Sequence, residues 1–302
     1  GVKSGIEQGA KIMMPLIIII LGLLAFRGVT LEGGIEGVIF LFKPKFSDLN
    51  ASSIGLALGH AFFTLSLGMG TMITYGSYLD KKQNLLTSGF WIILLDTCIA
   101  MLAGTAIFSI VFAMGADPAE GPGLIFVVLP TIFPQISGGL IWGTLFFFIL
   151  FMAALTSAIS ILEVVTAYFI DEKGWSRQRA TISFGIVITI VGMFCSLSMG
   201  SFTDFKTIFN KSFMDFMDEL SSVYMLPIGG ALTSLFILYK WKVDNFVKEL
   251  NEGTNSLISR IGKINTISFA LFLLSAGVVG IIVINSLADL FLGISLSHLM
   301  GF

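Results

Sequence analysis

Seven apolar stretches, at about 10–31, 51–79, 85–114, 138–170, 176–197, 212–240 and 264–292, constrain this chain more than any other feature. Each reaches the roughly 20 residues that a helix needs to cross the hydrocarbon core of a bilayer. In lipid, backbone polar groups have to be satisfied inside the chain, so these stretches are expected to be helices. A membrane barrel would instead alternate in polarity over segments of about ten residues. The expected fold class is therefore all-α, a polytopic membrane protein with a single membrane domain over 1–302. Composition agrees, since only 12% of residues are charged against about 25% in a soluble domain. A net charge of −2 gives no reason to expect nucleic acid as a partner. The lipid bilayer is the partner that such a chain requires.

Lys and Arg in the connections set the orientation. With the N-terminus cytoplasmic, Lys3, Lys11, Lys81, Lys82, Lys173, Arg177, Arg179, Lys240, Lys242, Lys248, Arg260 and Lys263 lie inside, and Arg27, Lys43, Lys45, Lys206 and Lys211 lie outside. The split of 12 to 5 places the N-terminus inside and the C-terminus outside, in the cell's inner membrane. The proline-bearing connection 115–137 is expected to fold back over the outer mouth, and 240–263 to be a cytoplasmic amphipathic link. Cys98 and Cys195 sit within apolar runs and read as small core residues. The opening Gly-Val-Lys-Ser-Gly-Ile-Glu carries no initiator methionine and no signal peptide, which leads to the expectation of a fragment with helices upstream.

The second stretch holds Phe62-Phe63-Thr64-Leu65-Ser66-Leu67-Gly68-Met69-Gly70-Thr71, with two glycines and two hydroxyls near its middle. Each glycine costs a helix about 1 kcal/mol relative to alanine, so an interruption is one reading. Unwound backbone at membrane depth is tolerated where it lines a protein-enclosed cavity, and its carbonyls can coordinate a cation. A small-residue packing face is the other reading. This run, followed by Ile73-Thr74-Tyr75-Gly76-Ser77-Tyr78, resembles the sixth helix of the neurotransmitter:sodium symporter family, and the likeness extends over essentially the whole chain. The resemblance implies an inverted-repeat transporter fold with a broken helix, seven of its transmembrane helices (five to eleven) present here and the second repeat over about 51–240. Helices one to four would lie N-terminal to this chain and complete it.

In the fourth stretch Ala153, Thr156, Ser157, Ser160 and Ile161 recur at helical spacing and share one face. Two neighbouring hydroxyls, with a carbonyl freed by a helix bend, would offer hard oxygen ligands to sodium; Ala153 and Ser157 also suit an ordinary small-residue helix contact. The resemblance implies a sodium site on the Ala153 carbonyl and the Thr156 and Ser157 hydroxyls. It places Phe63, Thr64, Ser66, Gly68, Met69, Ser157 and Ile161 around an amino-acid substrate, with Phe63 as a lid and Thr64 serving a second sodium ion. By the same resemblance Met69 stands where one member of the family carries an aromatic, and a flexible thioether repacks around varied side chains. A hydrophobic amino acid is the expected substrate.

Asp96 lies about 16 Å along the third stretch at 1.5 Å per residue, at a depth where an unpaired carboxylate costs several kcal/mol. The resemblance puts it at the sodium site that Thr64 serves, where many members carry asparagine. A serine one turn later in chloride-dependent members is Ala100 here, and His60 replaces a glutamine, so chloride is not expected to be required. Asp171 resembles the family's inner-gate acid with Tyr78 supporting it, and Asp218 the outer-gate acid. Glu163 is a further intramembrane acid for which a water-filled cytoplasmic path is one reading. His298 reads as a surface residue. The function expected is sodium-coupled amino-acid symport by alternating access; the alternative is a truncated membrane fragment or a regulatory or structural subunit. No channel filter motif is present. Two histidines, far apart, do not make an enzyme's catalytic cluster.

Overall fold

A computed structural model describes residues 2–49, 51–119, 121, 123–202, 207, 211–252 and 264–292. In chain order the helices are α1 (Val2–Val29), α2 (Gly34–Phe42), α3 (Ala51–Thr64), α4 (Thr71–Ser77), α5 (Leu85–Ala113), α6 (Leu129–Ile132), α7 (Gly139–Lys173), α8 (Arg177–Ser198), α9 (Phe213–Glu219), α10 (Leu226–Leu235), α11 (Val243–Glu252) and α12 (Ile264–Leu292). A π turn, Leu124–Val128, leads into α6, and two more, Leu220–Met225 and Phe236–Trp241, flank α10. The chain packs as two compact units, one of Gly1–Phe46 and Ile93–Ile159, the other of Ser47–Ile92 and Ser160–Phe302.

Five of the described helical runs are long and apolar enough to cross a membrane: Gln8–Val29, Leu85–Ala113, Gly139–Lys173, Arg177–Ser198 and Phe213–Trp241. The expected span 51–79 is divided between α3 and α4, neither of which is long enough alone. The expected span 264–292 coincides with α12, a helix of 29 residues. Large apolar side chains such as Ile12, Phe26, Ile93, Ile186 and Leu271 point outward. Only an apolar solvent makes such a surface stable, as expected of helices bathed in lipid tails.

The first unit is centred on Leu24 of α1, Ile110 and Val111 of α5 and Leu129 of α6, all essentially inaccessible. The connection 115–137 contributes Leu124, Leu129, Ile132, Phe133 and Ile136 to this core. From Leu124 to Gln135 it is a string of short helical turns rather than an extended loop. Pro130 occupies the first turn of α6, where a missing amide hydrogen is harmless. Phe133 meets Phe146 of α7 with ring centroids 5.6 Å apart.

In the second unit, Ser176 caps α8 by accepting from the Arg179 amide, and Ser212 caps α9 by accepting from the Asp215 amide. Such caps satisfy amides that the first turn leaves without partners. The expected amphipathic link is helical over α11, whose Val243 and Val247 bury against Leu238, Phe246 and Phe272. The remainder of that link, with Arg260 and Lys263, lies outside the described residues, as do Lys206 and His298.

Candidate functional site

Between α3 and α4 the residues Leu65–Gly70 belong to no helix. The α3 helix stops in a two-bond turn: the Leu67 amide donates to the Phe62 carbonyl (2.8 Å) and the Ser66 amide to the Phe63 carbonyl (3.0 Å). That pairing is a Schellman motif, whose turning residue adopts left-handed backbone and is usually glycine. Here it is Ser66, with φ 54°. Gly68 (φ 78°) and Gly70 (φ 87°) supply the next two left-handed positions, and α4 starts directly after Gly70. Phe63 is half exposed at 51%, Thr64 ends α3, and Met69 is partly buried between the glycines.

The unwound stretch is held against α10 by contacts that only glycine allows. A Cβ on Gly68 would stand 2.1 Å from the Leu226 carbonyl oxygen, and one on Gly229 would stand 2.0 Å from the Gly68 carbonyl oxygen. The small-residue packing face and the interruption are thus both present in this run, and the packing partner is α10.

Past the break, α4 docks on the later part of α7 through two tyrosines one turn apart. Tyr75 donates to Ser160 Oγ (2.8 Å) and Tyr78 donates to Glu163 Oε1 (2.7 Å). Arg177, the first residue of α8, donates from Nη1 to Glu163 Oε2 at 2.7 Å. Glu163 is 7% exposed, and a buried carboxylate needs a paired and hydrogen-bonded partner. Arg177 and Tyr78 meet that need, so Glu163 anchors a three-residue cluster rather than facing a water-filled path. Tyr78 therefore supports Glu163 and not Asp171, which is exposed near the end of α7. The sequence identified Glu163 as an anomaly without finding its partner, because Arg177 follows a helix end whose fold-back is not visible in hydropathy.

In the first unit, α7 runs through Ala153, Thr156 and Ser157 as continuous helix. The Ala153 carbonyl is not released by a break; it accepts from Thr156 Oγ1 at 2.8 Å. Ser157 is exposed on the same stretch of helix, and Ile161, in the second unit, is exposed as well. Asp96 sits partly buried in α5, with Ala100 one turn later, and His60 is exposed on α3. Asp218 is exposed near the end of α9; its Oδ1 accepts from Ser222 Oγ (3.1 Å) and its carbonyl from Ser221 Oγ (3.0 Å).

An all-helical chain with bilayer-length apolar helices is a membrane protein in class, and comparison with known sequences gives its family. The sequence pattern of the sodium:neurotransmitter symporter family matches residues 1–291, and the chain belongs to that family. It is 42% identical over 258 residues to the sodium-dependent transporter YhdH of Bacillus subtilis, covering 85% of this chain and 56% of that protein. A sodium-dependent transporter of Haemophilus influenzae is 35% identical over 266 residues, 86% of this chain and 57% of that one. Among solved structures, MhsT in complex with L-phenylalanine superposes with a TM-score of 0.77 at 44% identity, over 91% of this chain and 64% of its own. The chain spans a little over half the length of these curated relatives. The relatives are transporters and not enzymes.

Proposed function

We propose that this chain is part of a symporter that couples inward sodium movement to uptake of a hydrophobic amino acid by alternating access. The observation that carries the reading is the unwound Leu65–Gly70 stretch. At membrane depth such backbone has to be compensated by bound groups or protein, and half-helix ends suit a zwitterion and cations. The MhsT complex holds L-phenylalanine, which favours a large apolar side chain here. Phe63, Thr64, Ser66, Gly68, Met69, Ser157 and Ile161 are assigned to the substrate from the family likeness. Thr64 and Asp96 are assigned to one sodium ion, and the Ala153 carbonyl with the Thr156 and Ser157 hydroxyls to the other.

Phe63 acts as the outer lid and Asp218 as the outer acid in this reading. Asp171 stays the inner-gate acid, and the Tyr78–Glu163–Arg177 cluster fastens α4 on the cytoplasmic side until it has to open. Helices one to four of the family's set complete the site, the second repeat covers about 51–240, and the seven spans lie in the inner membrane with the N-terminus inside. The test is uptake of labelled L-phenylalanine by the full-length protein in proteoliposomes under a sodium or a potassium gradient. Uptake should need sodium, and T156A with S157A should raise the half-saturating sodium concentration several-fold. Equal uptake in potassium would sink the symport reading, and an unshifted sodium curve in the double variant would remove that ion from α7.

A further inference from the structure

Gly229 and Gly230 lie on α10, outside every substrate or ion assignment above, yet Gly229 comes close to the unwound stretch and Gly230 to the last turn of α3. The Gly68 and Gly229 backbones are in mutual contact, as a Cβ on either would overlap the other's helix or loop backbone. One residue on, a Cβ at Gly230 would lie 2.0 Å from Cε1 of the Phe62 ring. Phe62 is the residue whose carbonyl receives the Leu67 amide and so ends α3. A shift of that ring moves the turn that carries Phe63, Thr64 and Ser66. Pro227 opens α10, and π turns bound it on both sides, features that recur where helices are locally adjusted for function.

We propose that Gly229 and Gly230 are positioning residues: through Gly68 and Phe62 they set the conformation of the Leu65–Gly70 stretch and with it the size of amino acid accepted. This rests on the transport reading for its effect on selectivity, but its geometric half is testable without transport. The full-length protein is prepared with every native cysteine, Cys98 and Cys195 among them, replaced by alanine, and Met69→Cys reports the stretch by its rate of reaction with a water-soluble maleimide. Gly230→Ala forces the Phe62 ring aside and should change that rate several-fold. Phe62→Leu alone should change it too, and Gly230→Ala with Phe62→Leu should return it toward the starting value. Gly277→Ala, whose Cβ on α12 would meet nothing within 4 Å, serves as the control and should leave it unchanged.

In proteins that retain Met69, the same Gly230→Ala and rescued pair are compared for competition by small and large apolar amino acids against phenylalanine uptake. The single variant should shift that preference severalfold and the pair should restore it. An unchanged maleimide rate in Gly230→Ala or Phe62→Leu, or a failure of the pair to restore it, overturns the inference whatever transport shows. Altered labelling with an unaltered preference overturns the selectivity half. Absence of sodium-driven uptake in the unmodified protein strikes the transport reading and the selectivity half, while the labelling result still decides the positioning half.

Discussion

At the scale of single residues, the Glu163–Arg177 pair is unequal, and the inequality has a measurable sign. The Glu163 side chain is 8% exposed and that of Arg177 45%. Removing a partner from a buried ion pair costs about 3–5 kcal/mol when the survivor stays buried, and much less when it can rehydrate. Arg177→Ala strands Glu163 in the interior with Tyr78 as its one remaining donor among the described residues. Glu163→Gln leaves Arg177 free to turn to water and keeps an acceptor for Tyr78. The apparent melting temperature in detergent should therefore fall further for Arg177→Ala than for Glu163→Gln. Equal losses, or the reverse order, would mean that Glu163 is hydrated in the native protein.

At the scale of elements, the end of α3 is a helix stop built with a serine where glycine is the usual choice. A residue with a side chain gives up about 1 kcal/mol in left-handed backbone. Ser66→Gly should thus raise the apparent melting temperature by about 2 °C for a chain of this size, while Ser66→Val should lower it. No gain with glycine would show that the Ser66 hydroxyl makes a compensating bond. Long helices were legible in the sequence because lipid demands uninterrupted apolar runs: α5, α7 and α8 begin and end within a few residues of the expected bounds. The pair of glycines marked the stretch around Gly68 for the same kind of reason. Its seat on α10 was not legible, because Gly68 and Gly229 are far apart in sequence and a backbone contact leaves no hydropathy pattern. The continuity of α7 past Ala153 was equally hidden, since the hydroxyls at 156 and 157 suit a continuous helix and a broken one alike.

For the whole molecule, the proposed symport makes the balance of charge around the sodium ions decide which anions it needs. Asp96 occupies the middle of α5, and Ala100 offers no hydroxyl to an anion one turn on. A fixed carboxylate close to a sodium ion gains far more in a low-dielectric site than in water, and it can take over the compensation that a bound chloride would supply. Uptake by the full-length transporter should depend on sodium and be indifferent to chloride. Replacing chloride by gluconate checks this; a several-fold loss of rate would show that Asp96 does not compensate the cations.

The unbroken α7 also ties the protein to the thickness of its bilayer. Its 35 residues extend about 52 Å at 1.5 Å per residue, well beyond a hydrocarbon slab about 30 Å thick. Glu163 lies about 36 Å from the start of that helix on the same scale, so it stands where acyl chains give way to headgroups if the helix enters near Gly139. A thicker slab, or a more tilted helix, would draw the ion pair with Arg177 into hydrocarbon, and mismatch of this kind costs fractions of a kcal/mol per Å. Uptake reconstituted in a series of lipids of increasing acyl length should decline on the long side, and Glu163→Gln should flatten that decline. A length profile identical with and without the carboxylate would place Glu163 clear of the hydrocarbon boundary.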